Sequence, residues 1–151
     1  LAEVQALVST SGYGNPRRMT NGFDYNRLAM LAAVLEKRAG YFLSNCDIYI
    51  NVVGGLKLDE PASDLSVALA LISSLKDTPI RDDVIAFGEI GLGGEIRSIG
   101  SCEQRIKEAA RLGFNRCIVP YHNYKNLNVN IKSLVEIVPA RTIRAAFDSA
   151  I

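Results

Sequence analysis

The chain has 151 residues, 48% of them hydrophobic and 22% charged, which suits one domain able to bury a core without metal or disulfide staples. The formal net charge is +1, so no global field draws the chain to nucleic acid, and any such binding must come from a local patch. The three cysteines, Cys46, Cys102 and Cys117, form no CxxC pair; that argues against a disulfide framework or a zinc site and predicts buried thiols in a reducing cytoplasm.

Leu1 to Val8 alternates and reads as a strand. The chain opens on leucine, not methionine, and the expectation is a single domain, residues 1–151, taken from a longer protein. No signal peptide and no apolar run long enough to span a bilayer is visible. Asn15-Pro16 and Asn21-Gly22 mark turns, which puts Arg17 and Arg18 in a polar loop. Asp24 to Arg38 has helical spacing: Leu28, Leu31, Ala32 and Leu35 share a face, Asp24 can cap the start, and Gly40 follows the end. "CDIYINVVG" reads as a strand closed by Gly54-Gly55.

"KLDEPASDLSVALA" then sets a small-residue turn before a helix that is apolar nearly all round, with Val67 and Leu71 added to Leu65, Ala68, Leu69, Ile72 and Leu75. Such a helix lies deep in a domain. Ser63 or Asp64 is expected to cap it, at a contribution of about 1 kcal/mol. Lys76-Asp77-Thr78-Pro79 ends it. "VIAFGEIGLGGEIRSIG" reads as two short strands joined by a glycine turn, and Cys102 to Leu112 as a helix with Cys102, Ile106, Ala109 and Ala110 inward, stopped by Gly113. "RCIVP" and "LVEIV" are strands, and Arg141 to Ala150 is a last helix. Strands and helices mix without strict alternation, so the predicted class is α+β, a mixed sheet packed with helices.

No GxxxxGK[ST] occurs, so this segment has no loop of that type to cradle a nucleotide. "GLGGE", Gly91 to Glu95, has strands on both sides and reads as a hairpin turn rather than an anion loop. His122, the single histidine, has no second histidine for a metal or a relay and is expected in a loop. A serine needs a base, so for Ser63 the remaining route is a lysine, which would have to be desolvated to be neutral near pH 7.

"DEPASDLSVALALISS", followed by "GEIGLGGEIRSIGSCEQRIKEAARLGFNRCIVP", resembles the proteolytic domain of Lon proteases. That family carries a Pro-Ser-Ala-Gly nucleophile turn and a hairpin leading into a helix with the catalytic lysine. Aligning the prolines puts Ala62 where the Lon serine sits; aligning Gly88-Glu89-Ile90 and Gly94 puts Glu103 where the lysine sits. A methyl group cannot attack, and a carboxylate cannot serve as the lysine does. A displaced pair would be Ser63 with Lys107, one turn beyond Glu103. "NPRRM", "NRLAMLAAVLEKR" and "GEIGLGGEIRSI" resemble the C-terminal Lon-like domain of RadA (Sms)-type bacterial DNA repair proteins.

This resemblance spans essentially the whole chain and implies a fold of the ribosomal protein S5 domain 2 type. It also implies a cytoplasmic, nucleoid-associated homohexameric ring acting in recombination and repair, with other recombination proteins as possible partners and no membrane. ATP, Mg and Zn would belong to an upstream zinc motif and RecA-like ATPase; no cofactor is expected in this domain. The implied role is a non-proteolytic ring scaffold and a sequence-independent surface for single- or double-stranded DNA. The alternatives are a Ser-Lys peptidase and a pure oligomerisation module. The candidate DNA residues are Arg17, Arg18, Lys37, Arg38, Lys57 and Lys76. Arg17 and Arg18 lead, because adjacent guanidiniums in a loop suit phosphate oxygens. Charges at helix ends and on solvated faces are the competing explanation for each.

Overall fold

The computed structural model describes residues 1–12, 14–54 and 57–151; Gly55 of the expected Gly54-Gly55 turn lies outside them. Strand β1 (Val4–Thr10) pairs antiparallel with β3 (Cys46–Val52), and β2 (Arg18–Asn21) pairs with β3 in parallel, giving a three-stranded sheet in the order β1-β3-β2. Helix α1 (Tyr25–Ala39) runs between β2 and β3. Its caps are those the sequence predicts: the Asp24 carboxylate accepts from the Arg27 N–H, and Gly40 takes φ +79° while its N–H closes on the Leu35 carbonyl. Helix α2 (Asp64–Lys76) follows a short 3₁₀ turn, Pro61–Ser63. Leu65, Val67, Ala68, Leu69, Leu71 and Ile72 are all buried, so α2 is the central helix its apolar circumference calls for.

The second half is built on parallel strands β4 (Val84–Ala86), β7 (Arg116–Pro120) and β8 (Glu136–Ala140), in the order β4-β7-β8. A separate hairpin joins β5 (Glu89–Ile90) to β6 (Ile96–Arg97). The stretch read as two strands is therefore three, and its first strand belongs to a different sheet. Gly94 closes the hairpin at φ +84°, where an L side chain is strained; a Cβ there would also lie 2.8 Å from the Arg38 Cβ. Helix α3 (Cys102–Arg111) links the hairpin to β7, the one-turn helices α4 (Tyr121–Tyr124) and α5 (Val129–Lys132) precede β8, and α6 (Ile143–Ala150) ends the chain. His122 is an exposed residue of α4 rather than of a loop.

Two cores meet at β7. Successive residues of a strand face opposite sides. Ile118 joins the larger core with α1, α2, β3 and α6, while Cys117 and Val119 join a smaller one with Cys102, Ile106 and Ala109 of α3 and Ile131 of α5. All three cysteines are free and buried. Burial pushes the Cys102 and Cys117 thiols up to about 11, so neither is a thiolate at neutral pH. Thiol alkylation at pH 8 is expected to be slow in the native protein and complete in denaturant. Rapid native labelling at Cys102 or Cys117, read by peptide mass, would contradict this packing.

Candidate functional site

The turn before α2 is held from several sides. The Gly88 N–H donates to the Ala62 carbonyl at 2.9 Å, and the Leu65 N–H donates to the Gly88 carbonyl at 3.0 Å. Gly88 is a glycine for steric reasons: a Cβ would lie 2.9 Å from Ile96 Cγ2. The expected cap is not there. Ser63 has helical backbone angles and no capping bond, and its hydroxyl donates to the Glu60 carbonyl at 2.6 Å. Asp64 is inside the helix and fully buried. Its carboxylate accepts from Nε and Nη2 of Arg27 on α1, and from the Ile90 N–H at 3.0 Å. The reason is that α1 brings a guanidinium, and β5 an unpaired N–H, to a point that a local reading of the turn cannot anticipate. Asp64 holds the Arg27 guanidinium above its ordinary value, through the hydrogen bond first. One buried carboxylate thus ties α1, α2 and the β5–β6 hairpin together.

Beside this knot lies a cavity of about 580 Å³, lined in part by Lys57, Glu60, Ala62, Ser63, Gln104 and Arg105. The Ala62 methyl is buried. Arg105 is paired with Glu60 at 3.0 Å and donates to the Gly100 carbonyl. Neither Glu103 nor Lys107 lines the cavity, although both are on α3. Glu103 is half-buried, with Asn128 Nδ2 3.5 Å from its Oε1, and Lys107 is exposed. The fold therefore brings Ala62 and Ser63 together with Lys57, and leaves Glu103 and Lys107 elsewhere on α3.

Residues 27–151 match the family described as Lon protease (S16) C-terminal proteolytic domain. The chain belongs to that family. It is 53% identical over 123 residues, 82% of its length, to the DNA repair protein RadA of Bacillus subtilis, covering 27% of that protein. It is 47% identical over all 151 residues to RadA of Listeria monocytogenes, covering 33%, and 47% identical over 144 residues, 95% of its length, to RadA of Streptococcus pneumoniae, covering 34%. The chain spans about a quarter to a third of the length of these relatives. Both the α+β Lon-like fold and the resemblance to the RadA-type Lon-like domain hold. No helix among the described residues is long and apolar enough to cross a membrane.

In this Lon-family domain most of the candidate DNA residues gather around one loop, residues 40–45, between α1 and β3. Lys37 and Arg38 are exposed in the last turn of α1, just before it. The Lys76 ammonium lies 5.6 Å from the centre of the Tyr41 ring. Arg17 is exposed, and its backbone N–H donates to Asp47. Arg18 departs from expectation. It opens strand β2 rather than sitting in a loop, and its guanidinium donates to the Cys46 and Leu43 carbonyls at 2.9 and 3.0 Å. Those bonds hold the loop, so the two adjacent arginines are not equivalent free cations. Lys57 is exposed at the cavity instead. Glu36 faces the same loop; the Ser44 and Leu43 N–H groups bond it and hold its carboxyl below its ordinary value, so it dilutes the positive charge. Arg144 was not singled out from the sequence. It comes from α6 and stands 4.8 Å from the Tyr41 ring centre, a neighbour more than 100 residues away that local pattern does not reveal.

Proposed function

We propose that this Lon-like domain works without proteolysis, as a ring-forming scaffold and a sequence-independent DNA-contact surface attached to an ATPase. Its relatives are DNA repair proteins, which supports the DNA half of the reading. The observation that carries it is the placing of Lys37, Arg38 and Lys76 beside one loop, with Arg17 exposed and its backbone bonded to Asp47 at the start of β3, none of them in a salt bridge among the described residues. Exposed cations clustered in that way suit backbone phosphates, which position a protein without reading bases. ATP, Mg and Zn, on this reading, belong to parts of the longer protein beyond this chain, as do recombination partners; the assembly is a homohexameric ring.

The non-proteolytic half rests on the buried methyl of Ala62 at the serine position and on the Ser63 hydroxyl, which is spent on the Glu60 carbonyl. A nucleophile has to be hydrogen-bonded to a base that can take its proton. Incubation with an unfolded casein-like substrate is expected to give no turnover. The double variant Ala62→Ser, Glu103→Lys is expected to stay inactive as well, because Glu103 does not line the cavity and the supporting residues are missing. Turnover that disappears in Ser63→Ala, or in Lys107→Ala, would establish the displaced-pair peptidase instead. Duplex DNA binding that weakens with salt is the check on the surface role; no binding at low salt leaves a pure oligomerisation module.

A further inference from the structure

The 40–45 loop also exposes an aromatic ring that belongs to neither core. Phe42 is 72% exposed, while its neighbour Tyr41 is 4% exposed and belongs to the larger core. The two line a shallow open hollow with Gly40, Leu75, Lys76 and Thr78. Tyr41 is the buried member of that lining. The Lys76 ammonium is 5.6 Å from the centre of its ring, and the Arg144 guanidinium carbon 4.8 Å. Arg144 is steered by one bond, from Nε to the Ala39 carbonyl at 2.9 Å, and by Gly40, where a Cβ would come within 2.8 Å of Nη2. Its two Nη groups have no other hydrogen-bond partner among the described residues, and neither Lys76 nor Arg144 is in a salt bridge there. Asp77 and Asp148 are the carboxylates nearest to them in sequence.

We infer that this hollow takes an unpaired nucleotide of single-stranded DNA, its base stacked on Phe42 and a flanking phosphate held by Lys76 and Arg144. The inference rests on the DNA-contact reading and narrows it. An exposed aromatic beside free cations is what a sequence-tolerant single-strand surface requires, because every base has a face to stack and every nucleotide carries a phosphate. A guanidinium with both Nη groups free can fork onto phosphate oxygens. Paired duplex bases offer no free face to a projecting ring, so Phe42 adds nothing to duplex binding.

The test titrates the protein with an oligothymidylate and with a duplex of equal length, at several salt concentrations. Phe42→Ala is expected to weaken oligothymidylate binding by about tenfold or more, the range of one stacked base, with duplex affinity unchanged within about twofold. The chain contains no tryptophan, so Phe42→Trp places a single indole at the hollow. That variant is expected to bind as well as the parent, with its emission quenched by oligothymidylate and not by duplex. Lys76→Ala and Arg144→Gln should each reduce the single-strand salt slope by about 0.7. Thermal melting confirms that the variants fold.

If DNA binds but Phe42→Ala leaves oligothymidylate affinity intact, or Phe42→Trp is not quenched, the stacking site is wrong while the DNA surface stands. An equal loss for both DNAs in Phe42→Ala also overturns it. If neither DNA binds at low salt, the DNA-contact reading falls and this inference falls with it.

Discussion

Arg27→Met is expected to destabilise the protein by about 3–5 kcal/mol, the cost of leaving a buried charge without its partner. The magnitude follows from an asymmetry of burial. The Asp64 side chain has 0% exposure and Arg27 has 28%. Removing the arginine strands a carboxylate that water cannot reach, with the Ile90 N–H as its one remaining donor among the described residues. Removing the carboxylate is milder, since Arg27 can turn toward solvent; Asp64→Asn is expected to cost about 1–3 kcal/mol, nearer the price of an unsatisfied hydrogen-bonding group.

The double variant Arg27→Met, Asp64→Leu should recover much of the loss, as buried pairs replaced by apolar residues often do. Urea unfolding of the parent, Arg27→Met, Asp64→Leu and the double variant forms a double-mutant cycle, and a coupling of at least about 1 kcal/mol is expected. A cycle that closes to zero would mean that the pair does not hold α1, α2 and the β5–β6 hairpin together. The same variants probe function. Asp64 follows Ala62 by two residues, so a loosened knot should change the cavity without supplying a nucleophile, and proteolysis should remain absent.

The triple variant Lys37→Ala, Arg38→Ala, Lys76→Ala is expected to lower duplex DNA affinity by about one to two orders of magnitude at low salt. If each cation meets a phosphate, the log–log salt slope falls by about 2.7 in all, some 0.9 for each. The loss should be the same on unrelated DNA sequences, because phosphate contacts do not read bases. Arg17→Ala should act in the same direction and more weakly, since Asp47 binds its backbone N–H and places a carboxylate close by.

Arg18→Ala is a poor probe of DNA contact. It frees the carbonyls of Leu43 and Cys46 and loosens the loop that carries the patch. The other side chains are exposed, so their loss should cost the fold less than about 0.5 kcal/mol each, and melting separates the two kinds of change. An affinity and slope unmoved in the triple variant would remove this face from DNA and favour the scaffold role alone. Lys57→Ala is the control: it lies at the cavity, away from the 40–45 loop, and should change binding least.

The elements that the sequence determines by itself are those whose signal is local and periodic. Helix α1 carries a four-residue apolar face with Asp24 and Gly40 at its ends, and α2 is so apolar that only a central position suits it; both lie where the pattern places them. The buried run "RCIVP" is equally plain as a strand. The Lon-like motifs reach the family because they are a linear string. Strand β2 was missed because "RMTN" is four residues with no apolar alternation, and its pairing comes wholly from β3. The one-turn helices α4 and α5 are too short to show a period.

Tertiary structure alone decided the chemistry around the turn and the loop. Asp64 looks like a cap until Arg27, 37 residues earlier, and Ile90, 26 residues later, arrive at its carboxylate. Glu103 and Lys107 share a helix with Gln104 and Arg105, yet only the latter two face the cavity, because a helix turns about 100° per residue and the packing of α3 chooses the face. The Tyr41 ring takes cations from both α2 and α6. Side chains brought together from three distant segments leave no spacing to read along the chain; their meeting is set by how the helices pack on the shared core.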